Sequence, residues 1–243
     1  MVAPNMAVDL GGIKMKNPIN TASGTYGFGR EFEGFYDVAS LGAITCKGCS
    51  AEPWDGNPAP RMCEVRSGII NTVGLQNPGI RAMVEADGPY LADLAERGCA
   101  VIAQVAGHSL EEYVRAVELY EELAPWAAGL ELNISCPNIA AGGAAMGGTP
   151  EGAASVVKVI RDRTKRPLVV KMAPARVPEI ARALEEAGAD AAEFILAGAT
   201  AVSVGTANLT DPTCTPRILA ELTQWVADQG ASDINELIGA FEC

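Results

Sequence analysis

The chain is poor in the groups on which many catalytic sites are built: its 243 residues include one histidine, His108, and only 5% aromatics. A Ser/His/Asp triad finds no support in so sparse a set. Cys46-Lys-Gly-Cys49 has the spacing of a redox or zinc pair, but no second pair accompanies it and His108 lies in a loop ahead of a helix cap, facing solvent, so no metal site is expected. Positive charge is also scarce. With 18 Lys and Arg against 30 Asp and Glu the net charge is −12, which repels a phosphate backbone and argues against nucleic acid as a partner. No apolar run reaches the roughly 18 residues of a membrane span, and Met1-Val-Ala-Pro-Asn-Met6 lacks the charged and apolar regions of a signal peptide. A cytoplasmic protein without a membrane association is the expectation. The cysteines, seven and so odd in number, are scattered and suit free thiols in a reducing compartment.

What the chain does have is small aliphatic bulk. Its 49% hydrophobic residues and 26 glycines suit a parallel sheet covered by helices. One punctuation recurs: a helix-like segment ends in Gly and a short run of β-branched and small residues follows at once. Gly42 leads into Ala43 to Lys47, Gly98 into Cys99 to Val105, Gly129 into Leu130 to Ser135, and Gly198 into Ala199 to Val204. Each of these glycines is read as a helix C′ residue in the left-handed region. Leu168 to Met172, after Arg166-Pro167, and Pro18 to Ala22 bring the predicted strands to six. Between them the capping box Ser109-Leu-Glu-Glu112, Thr149 with Pro150, and Val177-Pro178-Glu179 open helices. Strands alternating with helices predict an α/β fold of the TIM-type (β/α)8 barrel class, one domain over 1–243, with a β-hairpin inserted near 61–72.

One interval is too short. Gly98 and Gly129 are 31 residues apart, about one βα unit, whereas Gly188 and Gly198 are 10 apart and Ala191 to Leu196 reads as a helix end. The inference is that roughly 60 residues, about two βα units, are absent after Asp190.

Chemistry concentrates where predicted strands end, the face on which such barrels build their sites. In Asn133-Ile-Ser-Cys136-Pro-Asn138 a thiol stands between two amides. It can serve as base or nucleophile beside a polar planar ligand, or be a buried structural cysteine before a proline turn. The loop Gly142-Gly-Ala-Ala-Met-Gly-Gly148 could close over it, or be a plain connection. Lys47 and Lys171 each end an apolar strand, a place that calls for an anionic or electron-rich ligand. Asn71-Thr-Val-Gly-Leu75 is a polar turn within reach of the same mouth, and the backbone at Gly205-Thr206 could meet a phosphate.

Taken together, Ser23-Gly-Thr25, Lys47-Gly48, Asn71-Thr-Val-Gly-Leu75, Asn133-Ile-Ser-Cys136-Pro-Asn138, Lys171 and Gly205-Thr206 resemble the dihydroorotate dehydrogenase family, and most closely its class 1, type B. The resemblance implies an FMN-binding barrel that oxidises dihydroorotate to orotate in pyrimidine biosynthesis, with Cys136 as base and hydride passing to the flavin N5. It implies FMN contacts at Ser23, Lys47, Gly48, Asn133, Lys171, Gly205 and Thr206. Substrate contacts are implied at Lys47, Asn71, Thr72, Val73, Gly74, Leu75, Asn133 and Asn138. It also implies a homodimer partnered by an iron–sulfur, FAD-containing electron-transfer subunit. Two departures stand out: Gln104 replaces the family's usual Asn in the third strand, and the interval after Asp190 lacks the sixth and seventh strands with their glycine loops for the FMN phosphate. Two alternatives follow from the residues: a barrel fragment kept as an assembly subunit that no longer binds FMN fully, and a Schiff-base aldolase on Lys171, which leaves Cys136 and Lys47 idle.

Overall fold

The structure, a computed structural model, describes residues 3–65, 68–134, 148–172, 179–180, 183, 186, 191–192 and 199–239. Near its start Gly11 and Gly12, both at positive φ, turn β1 (Val8–Leu10) back onto β2 (Ile13–Met15). The alternation Val-Asp-Leu and Ile-Lys-Met puts the apolar side chains of this hairpin on one buried face. That face packs against Ala43, Ala100, Ile102 and Val169, residues on the lower part of the main sheet.

The main sheet is parallel throughout. It runs β10 (Ala191–Ala192), β9 (Leu168–Lys171), β8 (Gly129–Asn133), β7 (Ala100–Val105) and β4 (Ala43–Thr45). A second parallel pair, β3 (Ile19–Thr21) with β11 (Val202–Val204), continues the curve beside β4, where the Gly42 N–H donates to the Ile19 carbonyl at 3.1 Å. The hairpin β5 (Met62–Val65) and β6 (Gly68–Asn71) lies where the sequence places it, as an exposed antiparallel pair. On the outer face lie α2 (Ile80–Glu96), α3 (Leu110–Leu123) and α4 (Pro150–Arg161), with α1 (Ser23–Tyr26), α5 (Ala207–Thr210) and α6 (Cys214–Asp228) in the β11 and β3 region. Two of the three predicted helix starts form as expected: the Ser109 hydroxyl accepts from the Glu112 N–H, and the Thr149 hydroxyl from Gly152 with Pro150 in the first turn; Val177 and Pro178 of the third lie outside the described residues. Glu112 reaches back one residue further than a capping box requires, to the His108 N–H at 2.7 Å. On α3, Tyr113, Ala116, Val117, Leu119 and Tyr120 are all buried against the sheet; each large apolar side chain so buried contributes about 1.5–3 kcal/mol.

Three expectations need correcting. The closed eight-stranded barrel does not form: among the described residues no strand joins β10 to β11, so the sheet is an open arc of a five-stranded and a two-stranded piece. Ala191-Ala192 is not the end of a helix but a strand, paired in parallel with Val169 and Val170, because the free edge of β9 offers unpaired backbone groups that this segment satisfies. Of the three strand-leading glycines among the described residues, Gly98 alone shows the left-handed conformation; Gly198 lies outside the described residues. Gly42 and Gly129 are glycine for space instead: an added Cβ would lie 1.8 Å from the Asn17 carbonyl oxygen at the first and 2.6 Å from Ile13 Cδ1 at the second. His108 is exposed, as expected, and its ring also lies tilted against Trp54 with centroids 3.5 Å apart.

The first and last described segments are stitched together. Asn5 donates from its backbone N–H to the Ser232 carbonyl at 2.8 Å and accepts from the Ile234 N–H at 3.0 Å, while its side chain donates to Asp233.

Candidate active site at the carboxyl ends of the strands

Side chains on the inner face of the arc change character along each strand. Ala43 gives way to Thr45, Ile102 to Gln104, and Val169 to Lys171, the apolar member packing on the hairpin plug and the polar one standing nearer the strand's carboxyl end. Period-two alternation makes these side chains share a face. The polar level begins with Asn20, whose Nδ2 donates to Thr45 Oγ1 at 2.9 Å and to Ser203 Oγ at 3.1 Å, tying β3, β4 and β11 into one layer.

Above that layer lies a cavity of about 380 Å³ lined by Gly24, Thr25, Lys47, Asn71 to Leu75 and Thr206, with Met62, Ile69 and Leu209 supplying apolar wall. Its size is that of a small-molecule site. The loop over it is built by a second loop that grips it. Asn57 Nδ2 donates to the Thr72 carbonyl and hydroxyl, the Asn57 N–H donates to the Val73 carbonyl, and Arg61 donates to Asn57, Asp55 and Gln76. Gly74 and Leu75 both adopt positive φ, and a Cβ on Gly74 would come within 2.8 Å of the Asn57 side chain. A non-glycine residue in the left-handed region is held there only by surrounding structure, and such strain clusters at ligand sites.

Lys47 sits at the mouth with its backbone N–H on the Gly27 carbonyl at 2.7 Å. Burial lowers its pKa; the neighbouring Cys49 side chain raises it, and the charge of Lys171 lowers it again. Among the described residues no carboxylate forms an ion pair with either lysine. Lys171 lies directly across from Asn133 in the β8 and β9 register. Asn133 is buried, as is Ser23, whose helix follows the Ala22 N–H bonded to the Val204 carbonyl at 3.0 Å. That bond brings Ser23 to Gly205. Gly48 is shaped by its neighbour: a Cβ there would lie 2.5 Å from Gln104 Oε1.

The residues proposed from sequence are therefore gathered as one mouth, Lys47, Asn71 to Leu75 and Thr206 lining the cavity itself, and Ser23, Gly48, Asn133, Lys171 and Gly205 beside it. Cys136 and Asn138 lie outside the described residues. One buried ionisable residue was not among the candidates. Glu131, 4% exposed, accepts a hydrogen bond from Gln104 Nε2. Its signal was the alternation Leu130-Glu-Leu-Asn133, which marks Glu131 and Asn133 as one polar face of an otherwise apolar strand. Cys46 and Cys49 are buried, and burial pushes the Cys49 thiol up to about 12; no group of three or more potential metal ligands occurs among the described residues. No described helix is long and apolar enough to cross a membrane.

Residues 5–188 match the family model for dihydroorotate dehydrogenase. The catalytic subunit of dihydroorotate dehydrogenase B (NAD(+)) from Geobacter sulfurreducens is 36% identical over 308 aligned positions that take in the whole of both chains. Its counterpart from Bacteroides thetaiotaomicron is 35% identical, with 98% of this chain and 99% of that one aligned. Among solved structures, DHODH from Eimeria tenella in complex with ferulenol has a TM-score of 0.75 at 17% identity, covering 97% of this chain and 88% of that one. That likeness concerns the fold. With the family model matched over three quarters of its length and relatives aligned from end to end, the chain belongs to the dihydroorotate dehydrogenase family, on the side of the class 1, type B catalytic subunits.

Proposed function

We propose that this chain catalyses the FMN-dependent oxidation of dihydroorotate to orotate in pyrimidine biosynthesis, with Cys136 as the base. The observation that carries the reading is Lys47 on the cavity wall, with Lys171 near enough for its charge to lower the Lys47 pKa and no described carboxylate ion-paired to either. Partly buried like charges raise each other's cost and are retained where an anionic ligand offsets it. A carboxylate substrate and a reduced flavin are two such ligands.

The residues present fit FMN. A Cβ added at Gly24 would meet nothing within 4 Å, and one at Gly205 only the Ala22 Cβ at 3.6 Å, so the backbone at these glycines has open space beside it. Ser23, Lys47, Gly48, Asn133 and Lys171 would hold the flavin, and Gly205 and Thr206 its phosphate. FMN, when bound, supplies the two-electron acceptor that takes hydride from C6 of the substrate.

The chain's own groups do the rest. Lys47 binds the substrate carboxylate, and the amides of Asn71, Asn133 and Asn138 with the loop Thr72 to Leu75 bind the ring amides. Cys136, as thiolate, takes the C5 proton; the electron pair of that C–H bond becomes part of the new C5–C6 double bond, and the thiol then returns its proton to solvent. Lys171 favours the negative charge that accumulates on the reduced flavin.

The proposal extends to assembly. The relatives are named as catalytic subunits of an NAD(+)-linked enzyme, which supports a partner electron-transfer subunit; the proposal takes that partner as an iron–sulfur, FAD-containing subunit and this chain as a homodimer in the cytoplasm. It extends also to the short interval after Asp190. The alignment with the Geobacter sulfurreducens relative is 65 positions longer than the 243 residues of this chain, and the family match ends at residue 188, both in keeping with two βα units lacking there. The open sheet favours a second reading, a subunit impaired in FMN binding, because among the described residues no strand lies between β10 and β11 to supply that part of the phosphate cradle.

A visible spectrum of the purified protein, followed by anaerobic addition of dihydroorotate, separates the readings. The proposed enzyme is yellow and bleaches; the impaired subunit is colourless. A yellow protein that dihydroorotate does not bleach would overturn the substrate assignment.

A further inference from the structure

Glu131 and Gln104 face each other directly in the β7 and β8 register, and both are almost fully buried. Gln104 is pinned through its backbone carbonyl, which accepts from the Cys49 N–H at 3.1 Å and from the Tyr120 hydroxyl at 3.2 Å. Its side chain is pinned as well. Nε2 donates to Glu131 Oε1, Oε1 lies over Gly48, and Asn133 Nδ2 reaches Oε1 at 3.5 Å.

This row has a direction. A carboxamide is nearly symmetric in shape, so an isolated Gln or Asn can present oxygen or NH2 to a neighbour with little change in packing. An ionised carboxylate is acceptor only. In the structure Gln104 turns its NH2 to Glu131 Oε1, which leaves its oxygen for Asn133; Asn133 turns its NH2 toward Gln104, which commits its oxygen to the other side. The length of Gln104 is what lets one amide touch both partners, and the bare Cα of Gly48 is what lets its oxygen lie where it does.

We propose that Glu131 is a positioning residue that, through Gln104, fixes which end of the Asn133 carboxamide faces the ligand. The inference rests on the reading that Asn133 contacts substrate and flavin, and concerns how its donor and acceptor are assigned. A ring amide offering an N–H is bound by an oxygen and rejected by an NH2, so the assignment decides between a matched hydrogen bond and a clash of two donors.

Two measurements test it. In the unliganded chain, side-chain amide proton–nitrogen spectra of protein labelled at Asn and Gln show one environment for Asn133, assigned by its loss in Asn133→Ala. In Glu131→Gln, an amide that can offer either end to Gln104, the Asn133 signals are expected to double or broaden by exchange. In Glu131→Gln combined with Gln104→Glu, position 104 carries the carboxylate and accepts from the Asn133 NH2 in place of the Gln104 oxygen, so the single environment returns. Orotate titration of the flavin-loaded protein is expected to follow the same order, roughly tenfold weaker in the single variant, in the range of losing a second partner behind a ligand, and regained in the double. Asn133 signals unmoved in Glu131→Gln, or not restored in the double variant, would overturn the proposal. Orotate binding unaffected by Asn133→Ala would instead remove the reading of Asn133 as a ligand contact, while the amide spectra still decide the orientation.

Discussion

Lys171 stands near enough to Lys47 for its charge to depress the Lys47 pKa, adding to what burial does. The consequence is a stability that depends on pH. The folded value lies below the usual 10.5, so between the two the unfolded chain binds more protons than the folded one, and stability rises with pH up to about 10.5. The thiols of Cys49 and Cys99, pushed up to about 12 by burial, act in the opposite sense above their usual 9.0. The quantity to measure is therefore the difference in denaturant midpoint between the wild type and Lys47→Met. That difference should shift in favour of the wild type as pH rises toward 10, and orotate should remove the trend. Parallel curves would mean Lys47 titrates as it does in the unfolded chain.

Cys136→Ser should leave FMN content and orotate affinity in place while slowing flavin reduction by ~10²-fold or more, the usual cost of a general base. A thiol near pKa 8.5 ionises at working pH and an alcohol does not. The deficit should narrow at alkaline pH. Anaerobic stopped-flow bleaching is the measurement, and a wild-type rate in the Ser variant would assign the proton to another group.

Gly42→Ala and Gly98→Ala should differ sharply. At Gly42 the new methyl would overlap the Asn17 backbone, whereas at Gly98 it meets nothing within 4 Å and only the left-handed φ resists it. Thermal denaturation should show a loss of about 3 kcal/mol or more for the first, or failure to fold, and about 1–2 kcal/mol for the second. Equal losses would contradict the packing account of Gly42.

Inserting two βα units of a type B relative after Ala192, between β10 and β11 in the chain, should pair the free edges of those two strands. The expected result is tighter FMN retention on dialysis and a higher melting temperature. A chimera that melts lower and holds no more flavin would argue that the short interval is the native arrangement.

How much of this was legible depended on what kind of signal each residue carries. Lys47 and Lys171 were readable because a charge ending an apolar strand is anomalous by itself. Glu131 carried the same anomaly, yet it lies two residues ahead of the Asn133 to Cys136 motif and was absorbed into its strand. Gly42 and Gly129 show a different limit: glycine for positive φ and glycine for space are the same letter, and only the arrival of Asn17 or Ile13 tells them apart. Ala191-Ala192 has the highest helix propensity available, and pairing with β9 overrode it. The β1 and β2 hairpin was missed although Val-Asp-Leu-Gly-Gly-Ile-Lys-Met alternates around a Gly-Gly turn, because three-residue strands fall below the length at which periodicity is convincing.

The stitching of Asn5 to Asp233, 228 residues apart, has a bearing on biosynthesis. At roughly 5–20 residues per second, the partner of Asn5 leaves the ribosome some 10–50 s after Asn5 itself. Asn20 and its β11 partner Ser203, 183 residues apart, wait almost as long. The β4 to β9 sheet can assemble in order as it emerges and the β1 and β2 hairpin can settle on it, but the far edge of β3 stays bare until β11 is made. In a nascent chain of this protein that edge of β3 is thus the pairing site exposed longest, the place a holding chaperone would cover.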